Sequence, residues 1–531
     1  MNTLQDKNIQ NIKHEKPDFV LNFDRPVGTE IKYINGNWYL YECKSVYDKE
    51  TKKKRKKSGT MLGSIKPEGF VPKKIRMESS DIDNAQVLEY GLSLFLYQNN
   101  LSMIEKLERN FPFTWKKIFA MALLRCKGIS SLNVIDVMYE KSWLSSLFGN
   151  LSLSPGTLTK DLRILGRSRG QIIDYMHDDL SGFSGFLLID GHRIISESKG
   201  MPQAQYGYDS RRRYKPQYNI LYLFGSNGGE RMPLYYKKFA GSVPDCIALS
   251  EISAESSIAG EDITIVADKG FSSSEDFGDI IKSNMKYIIP LRRNTQEVDE
   301  LPPACWGKYT SVFNYNKRPV CFNLYPKGDY NVFLFYDMKL ASDEAGTTVD
   351  RLTTLNETNE RKTETENKRR KKNKGRLTDD ELAKLKPIDI ASSIQNKDEI
   401  GTLIIRTNRK DLNGAQIYHL YKTRQQIEQC FKCYDDTLEQ ESSNMQDSCA
   451  FEGWLFINHI ALQMLFGILD YIAQYELTND YSFKKVMHYL SSIEIYKINN
   501  EWHLSKYAGK VKKLCERLNF NIIQPREVQV P

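Results

Sequence analysis

The chain has 531 residues, which is too long for one ordinary domain, so several units with at least one substantial core are expected. Apolar residues make up 40% of the sequence and aromatic residues 11%, which excludes wholesale disorder. The formal net charge of +8 is modest for this length, so local basic patches say more about anionic partners than the total does.

The cysteines and the first residues indicate the cellular compartment in which the protein is expected. The nine cysteines are scattered without a paired framework, and the start, MNTLQDKNIQNIKHEK, lacks an apolar signal core. Both features favour a reducing cytoplasm. The most apolar stretch, LFINHIALQMLFGILDYIA from Leu455, places Asn458, His459, Gln463 and Asp470 at helical intervals. It predicts a buried amphipathic helix and no membrane span.

The first predicted segment, residues 1–76, has the pattern of a β-hairpin. KYINGNWYLYECKSVYD alternates aromatic and polar residues after an Asn35-Gly36 turn signal, and strand-like residues resume at Gly59. Between the strands, KETKKKRKKSG is expected to be a solvated basic loop that can reach a phosphate backbone. A solubilising loop with no partner is the alternative.

Residues 77–178 have apolar residues at the three-and-four spacing of helices and are expected to form a helical, DNA-binding region. Within it, LSLSPGTLTKDLRILGRSRGQIIDYM predicts two short helices, the first beginning near Ser154-Pro155. A helix-turn-helix would place Lys160 and Arg163 against DNA. A purely structural helical pair remains the alternative, because the pattern is not specific.

Residues 179–294 predict the first part of an α/β core. FLLID, YNILYLF and MPLYYKKF predict an antiparallel meander, and ITIVAD and KYIIPL then alternate with helices, so the sheet should be mixed and covered by helices. Asp190 follows FLLI and Asp268 follows ITIVA, so each is expected at a strand end. Gly191 directly follows Asp190, and Lys269-Gly270 follows Asp268, so a glycine near each acid leaves room for a ligand.

Residues 295–400 differ from the preceding core segment in their sequence pattern. SVFNYNK, VCFNLY and YNVFLFYD predict a β-rich insertion, and RKTETENKRRKKNKGR predicts a charged helical or flexible arm. TLIIRTN near residue 402 indicates the return to the sheet in a second core part, residues 401–475, which also holds the helix of Glu428. Residues 476–531 form a C-terminal region.

Three carboxylates from distant segments, Asp190, Asp268 and Glu428, would form a hard-oxygen site suited to Mg²⁺ or Mn²⁺, and two such ions can drive phosphodiester chemistry. On a helix, Tyr421, Arg424 and Glu428 share one face. Arg424 could then hold a phosphate bidentately, and Tyr421 could donate to the DNA backbone or stack on a base. For this helix alone, an ordinary solvated face with an Arg and Glu pair is the alternative.

A second basic group follows the first predicted strand. Arg211, Arg212 and Arg213 lie in the connection between the first two strands of the core, beside Tyr208 and Tyr214. Cations interleaved with aromatic residues favour a phosphate-gripping patch over a passive surface.

Taken together, these motifs resemble the bacterial insertion-sequence transposases of the DDE type. The subgroup is the one with a β-strand insertion and a signature of Tyr, two residues, Arg, three residues, Glu, six residues and Lys. IDGH, GYDSRRRYKPQ, FAGSVPD, VADKGFSS and YIIPLRRN follow one another as in that family, and YKTRQQIEQCF is similar to its signature helix. The early YECKSVYDKETKKKRKKSGTMLGSI is similar to its amino-terminal hairpin, so the resemblance extends over the whole chain.

The resemblance implies an RNase H-like mixed five-stranded sheet with flanking helices, interrupted by the insertion. It also implies that Asp190, Asp268 and Glu428 bind two Mg²⁺ or Mn²⁺ ions, while Tyr421 and Arg424 contact transposon-end DNA. Water would cleave at the element's ends, and the freed 3′-OH would attack target DNA. A homodimer that joins two double-stranded ends, located at the nucleoid in the cytoplasm and away from membranes, is the expected assembly.

One departure from the signature is plain. The signature Lys, seven residues after Glu428, is replaced by Asp435. Lys432, one turn after Glu428, faces the same way and is the expected substitute DNA contact. Asp435 keeps open a weakened or inactive transposase-derived DNA-binding protein. A phosphatase that uses Asp190 as nucleophile is disfavoured, because His192 stands where a second aspartate is usual.

Overall fold

The computed structural model describes residues 15–48, 53–73, 86–129, 131–181, 183, 185–208, 214–227, 230–243, 251–253, 255–256, 263–271, 285–301, 308–372, 374, 376–395, 399–424, 438, 442–498 and 501–525. The chain divides into two compact units. Unit 1 comprises Met1–Gln86 with Lys497–Glu501, and unit 2 comprises Val87–Tyr496 with Trp502–Pro531. The six-segment division expected from the sequence stays a prediction.

The strands range in length from two to fourteen residues. They are β1 Thr29–Ile34, β2 Asn37–Asp48, β3 Lys53–Lys66, β4 Gly69–Pro72, β5 Val87–Glu89, β6 Phe186–Ser196, β7 Gln205–Tyr208, β8 Tyr214–Asn227, β9 Glu230–Ala240, β10 Thr264–Val266, β11 Lys286–Pro290, β12 Ser311–Tyr315, β13 Arg318–Lys327, β14 Tyr330–Asp337, β15 Thr402–Thr407, β16 Ser442–Ser443, β17 Glu494–Ile498 and β18 Glu501–Leu504.

The helices are concentrated between β5 and β6, within the insertion and after β16. They are α1 Asp18–Leu21, α2 Gly91–Asn99, α3 Leu101–Asn110, α4 Trp115–Cys126, α5 Ile135–Glu140, α6 Leu144–Phe148, α7 Pro155–Arg167, α8 Arg169–Ser181, α9 Gln296–Asp299, α10 Met338–Arg370, α11 Asp379–Ala383, α12 Ile390–Gln395, α13 Ser448–Gln474, α14 Phe483–Ser491 and α15 Gly509–Arg517. Residues 414–424 are also helical. A mixed α/β fold is therefore confirmed.

Unit 1 is built on an antiparallel sheet in the order β1, β2, β3, β4. The turn at Asn35-Gly36, where both residues have positive φ, connects β1 to β2 as its sequence predicts. A small core of Val20, Trp38, Leu40 and Ile65 fills one face. The basic run was expected in a loop, and this was wrong for Lys53–Lys57, which lie in β3 and pair with β2. Like-charged residues can occupy a strand when both faces are solvated, and β3 is exposed there.

In unit 2, the predicted pair of helices around Ser154-Pro155 is confirmed as α7 and α8, with Pro155 in the first turn of α7. α7 packs against α13 by close approach of the two backbones. A Cβ added to Gly166 would lie 1.8 Å from the carbonyl oxygen of Cys449, and one added to Gly453 would lie 2.2 Å from that of Leu162. Glycine is therefore required at both positions of this helix crossing.

The predicted buried helix is confirmed as α13. It has 27 residues and is apolar enough to cross a membrane by length and composition, but 78% of its most apolar window is buried inside the protein. It carries buried polar residues that bond within the core, for example Asn458, which accepts from Arg125 Nε at 2.9 Å. α13 is thus a core helix of unit 2.

Unit 2 contains a sheet of eleven strands among the described residues, in the order β12, β13, β14, β15, β11, β10, β6, β8, β7, with β9 on β8 and β16 on β6. The predicted meander is confirmed, because β6 pairs with β8 and β8 with β9, both antiparallel. β10 then pairs in parallel with β6 and with β11. The five expected strands therefore form one end of a larger sheet, together with β7 and β16, and not a sheet of their own.

The insertion accounts for the additional strands on the β11 side. β15 pairs antiparallel with β11, and β14 pairs antiparallel with β15, so the insertion continues the core sheet. The charged arm is helical over the 33 residues of α10. Arg293, after β11, donates to both carboxylate oxygens of Glu344 in α10 at 2.9 Å and to the Thr402 carbonyl at 2.7 Å. These bonds fasten the start of α10 to the sheet.

Candidate active site

Asp190 lies within a strand and not at its end. β6 continues through Ser196, and Asp190 is paired with Tyr222 of β8. The expectation of a strand end was therefore wrong for this residue, because GHRIIS goes on pairing with β8 after the apolar run stops. On the other side of β6, the neighbouring strand β10 does end close to this position, at Val266, which pairs with Leu188. Asp190 thus lies just beyond the point where its neighbouring strand ends.

Asp268 lies two residues beyond β10, and the register brings it level with Asp190. Val266 is the partner of Leu188 in the parallel pair, so two further residues along each chain give Asp268 and Asp190. Neighbouring strands are about 4.8 Å apart, so the two carboxylates start from adjacent positions on one edge. Each accepts a hydrogen bond from the next backbone amide, Gly191 N at 3.0 Å and Lys269 N at 2.7 Å, which restrains its orientation.

The helical residues 414–424 bring the third element to this edge. Asn413 and Gln416 cap its start reciprocally, since the Asn413 side chain accepts from the Gln416 amide at 3.0 Å and the Gln416 side chain accepts from the Asn413 amide at 2.9 Å. Tyr418 and Tyr421 are buried in the core. Arg424 lies one turn after Tyr421, with its guanidinium 5.9 Å from the Tyr421 ring centroid, so these two residues share a face as expected.

The Arg424 guanidinium bridges the two aspartates. Its Nη1 is 3.7 Å from Asp190 Oδ1 and its Nη2 is 3.4 Å from Asp268 Oδ1. The Arg424 side chain is only 4% exposed, whereas the Asp190 and Asp268 side chains are 20% and 40% exposed. A buried cation therefore faces two carboxylates that open towards solvent. Both carboxylates stabilise the buried guanidinium charge of Arg424, so these two ion pairs keep Asp190 and Asp268 close to each other.

Two carboxylate oxygens that converge on one positive charge fit a hard divalent cation such as Mg²⁺ or Mn²⁺. Within the described ranges, no group of three or more His, Cys, Asp or Glu residues could hold a metal ion. Glu428, Lys432 and Asp435 lie outside the described residues, as do Arg211, Arg212 and Arg213. The roles expected for these residues stay predictions.

A basic cavity of about 560 Å³ adjoins Asp268 and is lined in part by residues that the sequence analysis did not single out. Its cationic lining residues are Lys269, Arg292, Arg293, Lys422 and Arg424. Arg292 is exposed and follows β11, the strand next to β10, and its Nε donates to the Lys269 carbonyl at 3.2 Å. The available signal was the Arg292-Arg293 pair directly after a predicted strand, because neighbouring parallel strands end at the same edge of a sheet.

Comparison with known proteins gives one positive result. A family model described as transposase DDE domain matches residues 181–464, which is more than half of the chain. The match begins just before β6 and ends within α13, so it includes Asp190, Asp268 and Arg424 together with the whole insertion. No curated protein matches the chain.

Proposed function

Since the chain belongs to the transposase DDE-domain family, we propose that it is a metal-dependent enzyme that cuts DNA at the ends of an insertion sequence and joins the freed 3′-OH to target DNA. The observation that carries this proposal is the convergence of Asp190 and Asp268 on the Arg424 guanidinium, at 3.7 and 3.4 Å. Residues from three distant segments meet at one edge of a sheet, as an active site for phosphodiester chemistry requires.

The strand order supports an RNase H-like core. From one edge, the large sheet runs β9, β8, β6, β10, β11, with antiparallel pairing on the β8 side of β6 and parallel pairing on the β10 side. This is a mixed five-stranded arrangement in which Asp190 lies on β6 and Asp268 lies two residues after the end of the adjacent β10. The insertion interrupts it between β11 and the helix of Arg424, as in the subgroup that the sequence resembles.

Asp190, Asp268 and Glu428 are the proposed ligands of two Mg²⁺ or Mn²⁺ ions. When bound, such a pair supplies an activated oxygen nucleophile and stabilisation of the leaving oxygen. The protein's own contribution is to hold the carboxylates in place, through the β6–β10 pairing and the amide bonds from Gly191 and Lys269. Glu428 is one helical turn beyond Arg424 in sequence, so a helix continued past residue 424 would bring it towards the same edge.

The cations near the two acids are the proposed DNA contacts. Arg292 and Lys269 line the basic cavity beside Asp268, where a phosphate next to the reacting one would lie. Tyr421, Arg424, Lys432 and the Arg211–Arg213 run are proposed to contact the transposon end, as the family signature implies. A homodimer that joins two ends, working on chromosomal DNA in the cytoplasm, completes the proposal.

The test needs the natural substrate, which the DNA on either side of the gene supplies. Plasmid DNA with these flanks would be incubated with the full-length protein and Mg²⁺, and strand cleavage would be mapped. Asp190→Asn and Asp268→Asn should each lower cleavage by at least about 100-fold, because even the loss of an outer partner of a metal ligand costs 10- to 100-fold. Asp329→Asn, an exposed aspartate between β13 and β14, is the matched control and should cleave normally.

Binding of the same DNA distinguishes the possible outcomes. The two variants should still retard the end DNA in a gel, because their positive surfaces are unchanged. Retained cleavage by either variant would refute the assignment of that aspartate. Binding without any metal-dependent cleavage by the natural sequence would identify the alternative, a transposase-derived protein that binds DNA without cutting it.

A further inference from the structure

Unit 1 contains a two-stranded ribbon that extends beyond its four-stranded sheet. β1 pairs with β2 only as far as Glu42, and β4 pairs with β3 only from Gly63 onward. The pairing of β2 with β3 continues past both, from Cys43 opposite Ser58 to Asp48 opposite Lys53. Six residue pairs of extended chain make this ribbon about 20 Å long. Register irregularities near Tyr41 mark where it leaves the sheet.

The register sorts the side chains of the ribbon onto two faces. Residues directly opposite each other share a face, and successive pairs alternate between the faces. One face, hereafter the cationic face, takes Lys53 and the pairs of Lys44 with Lys57 and Val46 with Arg55. The other face takes the pairs of Ser45 with Lys56 and Tyr47 with Lys54, and Cys43 with Ser58. Four cations thus share the first face and two share the second.

Charge and exposure indicate an anionic partner for the ribbon. Residues 44–47 and 53–58 are all exposed. Six of these ten residues are lysine or arginine, which gives the ribbon a strongly positive charge, and Lys44 faces Lys57 directly across the pair. Like charges in opposite positions destabilise a ribbon, and an isolated two-stranded hairpin is marginal in water. A polyanion that neutralises the cations would therefore stabilise the ribbon as it binds.

The dimensions select one polyanion. The major groove of B-form DNA is about 12 Å wide and admits a two-stranded β-ribbon, whereas the minor groove is about 6 Å wide. The major groove of double-stranded RNA is deep and too narrow for side chains to read. A ribbon about 20 Å long matches roughly six base pairs of B-form DNA at 3.4 Å per pair. Duplex DNA is thus the nucleic acid that this shape fits.

We propose that the ribbon of Cys43–Asp48 and Lys53–Ser58 lies in the major groove of duplex DNA, with the cationic face directed into the groove. In this position Arg55 can bond bidentately to a guanine edge, while Lys44, Lys53 and Lys57 neutralise phosphates along the groove. The inference deepens the proposed function, on which it rests, by assigning a DNA contact to unit 1. It needs no metal and no residue of the candidate active site.

The first test compares two variants of the same ribbon that remove equal charge from opposite faces. Arg55→Gln/Lys57→Gln alters the cationic face, and Lys54→Gln/Lys56→Gln alters the other face. Binding of the full-length protein to a 30-base-pair duplex would be titrated in a chelator across a range of salt concentrations. The first variant should weaken binding through both residues and lower the salt slope by about 1, since Lys57 neutralises one phosphate while Arg55 contacts a guanine edge.

The Lys54→Gln/Lys56→Gln variant should change the slope by less than half as much. Equal effects of the two variants, or no effect of either, would overturn the orientation of the ribbon. Thermal unfolding of both variants should begin no earlier than that of the natural protein, because each variant removes two like charges from a densely cationic ribbon. A normal unfolding transition ensures that a loss of binding is not a loss of folding.

The second test asks which groove is occupied. The same duplex would be prepared with glucosylated 5-hydroxymethylcytosine, which fills the major groove, because the pyrimidine 5-position lies there. The advantage of the natural protein over Arg55→Gln/Lys57→Gln should disappear on this DNA. If the advantage persists, or if duplex RNA of the same sequence binds equally well, the major-groove assignment fails. Because the chelator prevents cleavage, neither result depends on the proposed catalytic residues.

Discussion

Asp337 is the residue through which the insertion supports the helix of Arg424, and replacing it by Asn tests this connection. It ends β14 and caps α10 by accepting from the Lys339 amide at 2.9 Å. Arg318 of β13 donates to its two carboxylate oxygens, both at 2.9 Å, and Tyr418 donates to Oδ2 at 2.6 Å. The Asp337 side chain is only 1% exposed. One buried carboxylate therefore joins two strands of the insertion, α10 and the 414–424 helix.

The size of the effect follows from the charge on Asp337. Burial alone would raise the pKa of this carboxyl, but the hydrogen bonds from Arg318 and Tyr418 outweigh burial and lower the pKa from 3.8 to about 2. At 1.36 kcal/mol per pKa unit, the charged form gains roughly 2 kcal/mol in the folded state. Asp337→Asn also leaves Arg318 without its carboxylate partner, and breaking a buried pair in this way costs about 3–5 kcal/mol. We therefore expect a loss of about 2–5 kcal/mol at pH 7.

The assay is urea unfolding of the natural protein and of Asp337→Asn, followed by far-UV circular dichroism at several pH values. Because the folded-state pKa is lower than the unfolded one, the charge-dependent stability is complete above about pH 4 and is lost as the pH falls towards 2. The difference between the two proteins should narrow over that range. A difference below about 0.5 kcal/mol at pH 7 would refute the reasoning, as would a difference that does not narrow. Asp329→Asn is the control and should unfold like the natural protein.

Three further predictions concern the helix crossing, the cation between the acids and the altered signature position. Gly453→Ala should cost about 1–3 kcal/mol in urea unfolding, because its Cβ meets a backbone carbonyl at 2.2 Å. Gly467→Ala in the same helix has nothing within 4 Å and should gain up to about 1 kcal/mol; equal effects would contradict this packing. Arg424→Met should raise Mn²⁺ affinity, measured by electron paramagnetic resonance without DNA, by at least about tenfold, because opposite charges about 4 Å apart near a surface interact by about 4 kcal/mol. Unchanged or weaker affinity would mean that Arg424 does not compete with the metal. Asp435→Lys should raise DNA-end binding or activity, and unchanged or lower values in both assays would count against it.

Much of the fold of unit 2 was predictable because its strands are long apolar runs with clear turns. The runs that became β8 and β9 are separated by the glycine-rich GSNGGE, and the pairing of β6 with β8 and of β8 with β9 is as expected. The return to the sheet at β15 was also predicted, although its partners were not. The hydropathy pattern of a segment indicates whether that segment is buried, but it does not indicate which strand the segment pairs with. The continuation of the sheet into the insertion was therefore seen only in the three-dimensional structure.

Two predictions were wrong because the composition of a segment does not determine which strand its backbone pairs with. The apolar run before Asp190 ends where burial is interrupted, whereas the strand continues into the buried Ile194 and Ile195 because β8 goes on pairing with it. The basic run from Lys53 to Lys57 lacks apolar residues, yet it pairs with β2. In both cases a neighbouring strand determined the conformation, and no pattern local to the segment contains that information.

The continuous sheet explains how an insertion of about a hundred residues can interrupt a catalytic core without separating its parts. β11 carries the chain out of the core, and β15 returns it to the same edge, with Leu291 N bonded to the Ile404 carbonyl at 2.8 Å. The helix of Arg424 begins within a few residues of β15. The position of this helix is therefore fixed by its short connection to the sheet and by the hydrogen bond from Tyr418 to Asp337. The insertion thus supports the helix whose cation lies between Asp190 and Asp268, so a change in the insertion can alter the geometry of the two acids without touching either one.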